Sequence, residues 1–387
     1  MLGESVGPDR ASVVLSALGE PSSVSVRLNP EKLKECPFEG SSPVPWSPYG
    51  HFLSERPVFT LDPLFHAGCY YVQDSSAMFV GEIFRRAVSS MEGPLSVLDL
   101  CAAPGGKTTD ISSSLRERFG DGFTLIANEV MKKRYSVLRS NVRAWGDRRV
   151  GTVSRDPAGF PGKGLFDVIV ADVPCSGEGM FRKDSGAVSD WSEETVAFCA
   201  ARQRRIISDI WDSLRPGGRL IYSTCTFNRS ENDGNVRWIS SELGAEVLDF
   251  GSFEGVLKTD SGYSLLPGFV RGEGQYAAAL RKNGEAARLD ADLFAVLGAE
   301  RPAPEPPAGP FWNLSRDEAV RYLHGDALRL PAGAPTGLLT LTFSGYPLGP
   351  AKNLGSRCNN LYPSDWRIRM DADESRYTFI LSPSFSM

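Results

Sequence analysis

The chain has 387 residues, of which 41% are hydrophobic and 23% are charged, and its formal net charge is −5. These values are typical of a soluble globular protein of two or three domains. No run approaches the roughly 18 apolar residues that span a bilayer, and the N-terminus lacks the pattern of an export signal. We therefore expect no membrane segment and a cytoplasmic location.

The chain contains seven cysteines and three histidines, and no two cysteines are spaced as Cys-x-x-Cys. An odd cysteine count without that spacing argues against a structural zinc site and against a secreted disulfide scaffold. We expect reduced thiols and no metal.

Residues 1–70 are mixed in pattern, with one strand-like run at 23–28. Asp74 and Ser75 are typical helix-capping residues, and apolar residues repeat after them at helical spacing as far as Val88. The sequence therefore predicts a helix that begins near residue 75.

Short apolar segments and longer segments of helical period then alternate. The strand-like segments are 95–100, 123–127, 149–153, 166–171, 218–223, 245–250 and 276–281, and the clearest helical segment is 193–214. This alternation predicts a doubly wound α/β sheet, in which ligands bind at the carboxyl ends of the strands.

Five prolines between residues 301 and 310 indicate a linker. The segment that follows has a strand-like run at 338–343 and several turn residues. We predict a second, small, β-rich domain there.

The first strand-like segment runs into Cys-Ala-Ala-Pro-Gly-Gly-Lys-Thr at 101–108; we call residues 101–107 the glycine loop. A glycine turn between a strand and a helix lets the backbone approach a ligand closely. A phosphate loop needs a glycine five residues before its Gly-Lys pair, where Cys101 stands. A nucleoside triphosphatase and a purely structural turn remain the lesser alternatives.

Acidic residues follow three successive strands of the predicted sheet. Glu129 lies 24 residues after Gly105, near the spacing of the ribose-binding acid in dinucleotide sites. Asp156 follows the third strand and Asp172 ends the fourth. Together they favour an adenosine-containing ligand, although any one of them alone is more simply a surface acid.

Cys175 and Cys225 follow the fourth and fifth strands, at the ligand-binding edge. We interpret the other five cysteines as structural. A thiolate that adds to carbon 6 of a cytosine makes carbon 5 nucleophilic enough to accept a methyl group. Asp172 is suited to stabilise such an adduct near the ring nitrogen, and Lys107 to hold a thiolate. The residues themselves do not decide which cysteine is the nucleophile.

Three motifs, at 101–108, 172–179 and 223–226, together resemble the RNA cytosine-5 methyltransferase family of the RsmB/RsmF and Sun type, in particular its bacterial RsmF-type 16S ribosomal-RNA enzymes. The paired Pro-Cys-Ser-Gly and Ser-Thr-Cys-Thr motifs are the specific part. The stretches 66–74, 179–184, 271–274 and 359–369 support the resemblance.

The resemblance implies a Rossmann-like, seven-stranded class I methyltransferase core in an α/β fold. It implies four regions, which are an N-terminal RNA-binding extension (1–70), the S-adenosylmethionine-dependent core (71–283), a Pro/Ala-rich linker (284–310) and a PUA-like RNA-binding domain (311–387).

The resemblance also implies the site. Cys225 would be the nucleophile, Cys175 would assist product release, and Asp172 would orient the target base. The residues implied to bind S-adenosyl-L-methionine are Cys101, Ala102, Ala103, Pro104, Gly105, Gly106, Lys107, Glu129, Arg134, Asp156 and Asp172.

The most basic stretch of the chain is 132–155, with smaller clusters at Arg182-Lys183 and at 202–205. Phosphate contacts of this kind fix an RNA without reading its sequence, although a solvated helix face is the simpler explanation for any one residue. A cytosine must leave a duplex to reach a strand-end thiol.

We expect a monomer that acts on ribosomal RNA, with naked RNA and the assembled small subunit both open as the form of the substrate. The alternatives are a transfer-RNA substrate and a catalytically idle RNA-binding assembly factor.

Overall fold

A computed structural model describes residues 2–302 and 309–370. Prolines 304, 306 and 307 of the predicted linker, and residues 371–387 of the predicted C-terminal domain, lie outside the described residues. In the described part of the chain, no helix is long and apolar enough to cross a membrane.

The N-terminal unit (residues 2–72) contains a small antiparallel sheet preceded by two helices. Its elements are α1 (Leu2–Val6), α2 (Pro8–Leu18), β1 (Val24–Leu28), β2 (Ser42–Pro43), β3 (Gly50–Leu53), α3 (Pro63–His66) and β4 (Tyr70–Val72). The strand order is β2-β3-β1-β4, and β1 confirms the strand predicted at 23–28.

The central unit alternates helices and strands, as predicted. Its elements are α4 (Ser75–Val88), β5 (Leu95–Asp99), α5 (Gly106–Phe119), β6 (Phe123–Asn128), α6 (Lys132–Trp145), β7 (Val150–Val153), β8 (Phe166–Asp172), α7 (Ser185–Asp190), α8 (Glu193–Ile210), β9 (Leu214–Thr224), α9 (Asp233–Glu242), β10 (Ala245–Val247), β11 (Leu257–Lys258), β12 (Tyr263–Leu265), β13 (Gln275–Lys282) and α10 (Leu293–Leu297).

Strands of the central sheet follow the order β7-β6-β5-β8-β9-β13, with β10 and β12 both paired to β13. The first five are parallel to one another, and β13 is antiparallel to β9. This is the predicted Rossmann-like, class I methyltransferase arrangement, to which β11 and β12 add a short extension. The order reverses between β5 and β8, which opens a crevice at their carboxyl ends.

Both faces of this sheet are buried, which explains why its strands read as continuous apolar runs. Val97 packs on one face with α4 and α5, whereas its neighbour Leu98 packs on the other face with α8 and α9. Asp74 caps α4, because its side chain accepts a hydrogen bond from the backbone N–H of Ser76 at 3.0 Å.

Two segments differ from the prediction. The predicted helix 193–214 ends at Ile210, and after a short 3₁₀ turn Leu214 begins β9, where it pairs with Phe166 of β8. The predicted linker contains α10, because Leu293 and Leu297, one helical turn apart, are buried against the sheet.

The C-terminal unit (residues 309–370) is β-rich, as predicted. Its elements are β14 (Phe311–Leu314), α11 (Arg316–His324), β15 (Gly337–Phe343), β16 (Tyr346–Asn353) and β17 (Cys358–Asn360), and the strand order is β14-β15-β16-β17. Its apolar residues form one continuous cluster with those of the N-terminal unit. The two terminal units therefore share a core.

Candidate active site

Strands β8 and β9 are parallel neighbours, and Asp172 at the end of β8 lies opposite Ser223 of β9. The loops that follow these strands leave the sheet side by side. They bring Cys175 and Cys225 together, with 3.1 Å between the two Sγ atoms. Both side chains are half-buried. Two thiols that are distant in the sequence thus meet at the predicted ligand-binding edge.

The two thiols have different acidities. The pKa of Cys225 is lowered because its sulfur accepts a hydrogen bond from the Cys175 thiol, with help from the positive charge of Lys107. The pKa of Cys175 is raised well above its ordinary value by the same hydrogen bond, by burial and by nearby carboxylates including Glu231. Cys225 is therefore the member of the pair that is favoured as a thiolate.

Lys107 and Asp172 form an ion pair beside the thiols, with 2.8 Å between Nζ and Oδ2. The other Asp172 oxygen accepts a hydrogen bond from Ser223 Oγ at 2.7 Å. Burial disfavours the Lys107 cation, but Asp172 outweighs it and the pKa of Lys107 is raised. The ion pair keeps a positive charge beside Cys225.

The glycine loop joins β5 to α5 and is fixed from its outer side. Gly105 has φ of +112°, in the region that favours glycine. The carbonyl of Ala103 accepts a hydrogen bond from Arg134 Nη2 at 2.7 Å, and that of Pro104 accepts one from Asn141 Nδ2 at 2.8 Å. Two side chains of α6 thus hold the loop open toward the crevice.

Cys101 begins this loop but has no features of a nucleophile. Burial raises the pKa of its thiol far above the ordinary value, and the carboxylates of Asp99 and Asp172 raise it further. A neutral, half-buried thiol agrees with the structural interpretation of this cysteine.

The acids that follow β6 and β7 differ in burial. Glu129 is buried, accepts a hydrogen bond from the Met131 N–H at 2.9 Å and lies 3.4 Å from Arg134 Nη1. Asp156 is exposed, and its side chain accepts a hydrogen bond from the Ala158 N–H at 3.0 Å. Both lie at the carboxyl edge of the sheet, where an elongated ligand would run across the strand ends.

Sequence reasoning missed Asp99, the last residue of β5. Its side chain is fully buried, and one oxygen accepts a hydrogen bond from Thr108 Oγ1 at 2.6 Å. The other oxygen has no hydrogen-bond partner among the described residues. Burial raises the pKa of Asp99 to about 7. The sequence signal that could have identified it is its position at a strand end, two residues before the glycine loop.

Sequence reasoning also missed Glu231, which ties the two cysteine loops together. Its carboxylate accepts hydrogen bonds from Gln203 Nε2 at 2.6 Å, from Asn228 Nδ2 at 2.7 Å and from the backbone N–H of Ser176 at 3.1 Å. Ser176 follows Cys175, so the acid fixes the backbone next to that thiol.

Glu178 makes a second link between the same loops. It accepts hydrogen bonds from the backbone N–H of Phe227 at 2.7 Å and from Trp191 Nε1 at 3.0 Å. The adjacent Gly179 donates its N–H to the carbonyl of Cys225 at 2.9 Å. The spacing of the two thiols is thus set by buried acids and by backbone contacts.

Several of the predicted basic residues are engaged within the protein. Arg182 is buried against Glu273, with 2.8 Å between Nε and Oε2. Arg143 stacks on Trp366 of the C-terminal unit. Lys132 and Lys133, at the start of α6, are exposed. The basic surface is therefore smaller than the sequence suggests.

Comparison with known families covers most of the chain. Residues 90–281 match the 16S rRNA methyltransferase RsmB/F family. Residues 311–368 match the PUA domain of methyltransferase RsmF, and residues 4–75 match the N-terminal domain of 16S rRNA methyltransferase RsmF. The chain belongs to the RsmB/F family.

Individual members of the RsmB/F family are similar over much of their length. Ribosomal RNA small subunit methyltransferase F of Cronobacter sakazakii is 34% identical in an alignment 305 residues long that covers 73% of this chain and 62% of the relative. The enzyme of the same name from Pectobacterium atrosepticum is 33% identical over 70% of this chain and 58% of the relative. The chain thus aligns with about 60% of the length of these relatives.

Solved structures share the fold. A methyltransferase homologue from Pyrococcus horikoshii has a TM-score of 0.60 at 25% identity, covering 73% of this chain and 93% of that chain. NSun6 from Pyrococcus horikoshii, with SFG, has a TM-score of 0.60 at 19% identity, covering 73% of this chain and 97% of that chain.

Proposed function

We propose that this chain transfers a methyl group from S-adenosylmethionine to carbon 5 of a cytosine in 16S ribosomal RNA, through a covalent bond between Cys225 and the base. The observation that supports this most directly is the pair of thiols, with Sγ atoms 3.1 Å apart beside the Lys107–Asp172 ion pair. A simple methyltransferase needs no thiol pair at the ends of neighbouring strands.

The covalent step follows from the acidity of Cys225. Its thiolate forms a bond to carbon 6 of the cytosine, and the electrons of the carbon 5–carbon 6 double bond make carbon 5 nucleophilic. S-adenosylmethionine, when bound, would supply an electrophilic methyl group on a sulfonium. Carbon 5 takes this methyl group as the bond between the methyl group and the sulfur breaks, and S-adenosylhomocysteine is the leaving group. Carbon 5 then loses its proton to water, the bond from Cys225 to carbon 6 breaks, and 5-methylcytosine is released.

Three neighbours assist the nucleophile. Lys107 stabilises the thiolate by its charge. Asp172, an acceptor at the strand end, orients the edge of the cytosine that carries ring nitrogen 3 and the amino group. Cys175 remains a neutral thiol and donates its hydrogen bond to the sulfur of Cys225 as that sulfur leaves carbon 6. This is the role in product release that we assign to it.

The residues at the strand ends suit S-adenosylmethionine. Glu129 is a buried carboxylate at the end of β6, placed to accept hydrogen bonds from ribose hydroxyls. Asp156 lies one strand further along the edge, where it would bind the adenine. The glycine loop would hold the methionine part, and one oxygen of the nearby Asp99 has no hydrogen-bond partner in the described part of the chain. Arg134 steadies both the loop and Glu129.

The substrate class rests on the terminal units. Both match family domains of RsmF, and the relatives are named as methyltransferases of the small-subunit RNA. We propose that residues 1–70 and 311–387, whose described parts share one apolar cluster, together bind RNA beside the core (71–283), with 284–310 connecting core and C-terminal domain. The enzyme acts as a monomer on the assembled small subunit.

The test incubates tritiated methyl-donor S-adenosylmethionine with 16S RNA, intact small subunits or transfer RNA. We expect label as 5-methylcytosine in small-subunit RNA with the wild type and none with Cys225→Ala. Cys175→Ala should accumulate a protein–RNA adduct that survives a denaturing gel, because release is impaired. Cys36→Ala, another half-buried cysteine, is the matched control and should behave as the wild type.

Other outcomes discriminate among the alternatives. Label in transfer RNA would support the proposed methyl-transfer chemistry and would identify transfer RNA, in place of 16S RNA, as the substrate. Donor binding without transfer to any RNA would favour an idle assembly factor and refute the proposal. Label in RNA that Cys225→Ala retains would refute the assignment of the nucleophile.

A further inference from the structure

Arg27 lies on β1 of the N-terminal unit and has no exposed surface. In register it lies opposite Gly50 of β3 and Tyr71 of β4. Burying a guanidinium group costs free energy unless its N–H groups are hydrogen-bonded and its charge is paired. The partners of Arg27 therefore indicate its role.

The partners of Arg27 lie at the start of α5. Nη2 donates to the carbonyl of Gly106 at 3.0 Å and to Thr109 Oγ1 at 2.5 Å. Nε donates to Gln73 Oε1 at 2.9 Å and lies 3.9 Å from Asp110 Oδ2. One side chain of the N-terminal unit thus binds the backbone of the glycine loop and the first turn of the helix after it.

Two aromatic rings lie close to this contact. Arg27 stacks on the ring of Trp145, at the end of α6, with its guanidinium carbon 4.7 Å from the ring centroid. A Cβ atom on Gly106 would lie 3.1 Å from the ring of Tyr71. The peptide before Lys107 is therefore clamped between the N-terminal sheet and the core. The side chain of Lys107 extends from this peptide, and its Nζ forms the ion pair with Asp172.

We propose that Arg27 is a positioning residue for the methyl-transfer site, which it serves by fixing the Gly106 peptide and thereby directing Lys107 at Asp172 and Cys225. The inference rests on the proposed function, because it takes the glycine loop as the donor-binding loop. It makes the N-terminal unit a part of the catalytic apparatus besides any role in binding RNA.

The test compares Arg27→Gln, Arg27→Lys and Thr109→Val, which removes one acceptor of Arg27. The first measurement is the rate at which iodoacetamide alkylates Cys225 as a function of pH, resolved by peptide mass spectrometry. It needs neither donor nor RNA. In Arg27→Gln we expect the profile to move to higher pH, with alkylation about threefold slower at pH 7.5, because Lys107 is less well directed at the thiolate.

The second measurement is calorimetric binding of S-adenosylhomocysteine. We expect Arg27→Gln to weaken binding about tenfold, the effect of losing one charge-assisted hydrogen bond that orders the loop. Arg27→Lys should restore part of both effects, because an ammonium can still reach one acceptor. Thr109→Val should shift both in the same direction by less. Because the Thr109 hydroxyl also donates to the carbonyls of Gly105 and Gly106, Arg27→Lys carries the test if Arg27→Gln does not fold.

Lys32→Met is the matched control. Lys32 is also a cation of the N-terminal unit, and its Nζ donates to the carbonyls of Ala67 and Ala144, both at 2.6 Å, without touching the glycine loop. We expect Lys32→Met to lower the melting temperature. It should leave unchanged both the pH profile of Cys225 alkylation and the affinity for S-adenosylhomocysteine.

The outcomes separate this inference from the proposed function. Equal effects of Lys32→Met and the Arg27 variants, or unchanged profiles in folded Arg27→Lys and Thr109→Val, would overturn the positioning role. A wild type that binds no S-adenosylhomocysteine would refute the proposed cofactor, while the thiol profile would still decide whether Arg27 directs Lys107.

Discussion

Asp99 shows how burial sets a charge state in this site. Its carboxyl has a pKa of about 7 in the folded protein, against 3.8 for the ordinary group, chiefly because burial penalises the anion. The folded state therefore binds this proton more tightly than the unfolded chain does. Stability from this residue is greatest at low pH and is lost as the pH rises from about 4 to about 7.

Replacing Asp99 with Asn removes this titration, because the amide cannot ionise. The effect of Asp99→Asn is the free energy of unfolding of the variant minus that of the wild type. We expect this difference to be about 2 kcal/mol more positive at pH 8 than at pH 5. Urea denaturation at the two pH values measures it. Asp121→Asn is the control; Asp121 is exposed and Arg116 lowers its pKa, so its effect should be equal at both. If Asp99→Asn changed the stability equally at both pH values, burial would not be what disfavours the Asp99 anion.

At the residue scale, the sequence was informative where chemistry coincides with strand ends. Cys175 and Cys225 stood out because each follows a strand-like segment, and the structure brings them together. Arg27 and Glu231 could not be found this way. A charged residue in a sequence suggests a solvated surface, and only the fold shows that these two are buried among partners from distant segments.

At the element scale, the loops after β8 and β9 behave as one unit because Glu231 accepts hydrogen bonds from both the β8 loop and α8. In Glu231→Gln one acceptor oxygen becomes a donor that faces other donors. We expect about 2 kcal/mol lower stability and at least about tenfold lower methyl transfer, because the thiol spacing is no longer fixed. Thermal melts and initial rates measure these effects.

Glu193→Gln, in the exposed first turn of α8, provides the matched control for this change and should alter neither quantity. A Glu231→Gln protein of wild-type activity would show that the thiol spacing does not depend on the buried acid.

The sequence predicted long, regular elements better than short ones. Strands of the central sheet follow from apolar runs, since a strand buried on both faces has few polar positions. The hairpin of β11 and β12 was missed because two or three residues are too few for periodicity to emerge. In α10, the nearby prolines and charged residues obscured the pair of leucines that bury it.

At the scale of the whole molecule, the two terminal units form one body. Their apolar residues belong to a single cluster, and Tyr346 of β16 donates its hydroxyl to the carbonyl of Lys32 at 2.9 Å. A pattern of apolar residues shows which face of an element is buried but not which distant segment covers it. The sequence therefore predicted two separate RNA-binding regions, and only the structure shows that they share a core.

This shared core predicts coupled stability between the two ends of the chain. Leu323 of α11 is fully buried within it. Leu323→Ala leaves a cavity that should cost about 2–4 kcal/mol. We expect amide hydrogen exchange, followed by mass spectrometry, to accelerate in β1 and β4 as well as in β15, while β5 and β8 keep their protection.

Leu338→Ala is the control within the same unit, because Leu338 is 46% exposed and its truncation opens no cavity. Faster exchange confined to residues 309–370 in Leu323→Ala would show that the terminal units unfold independently. Faster exchange at both ends would mean that any RNA held by the C-terminal unit also stabilises the sheet that carries Arg27, and through it the glycine loop.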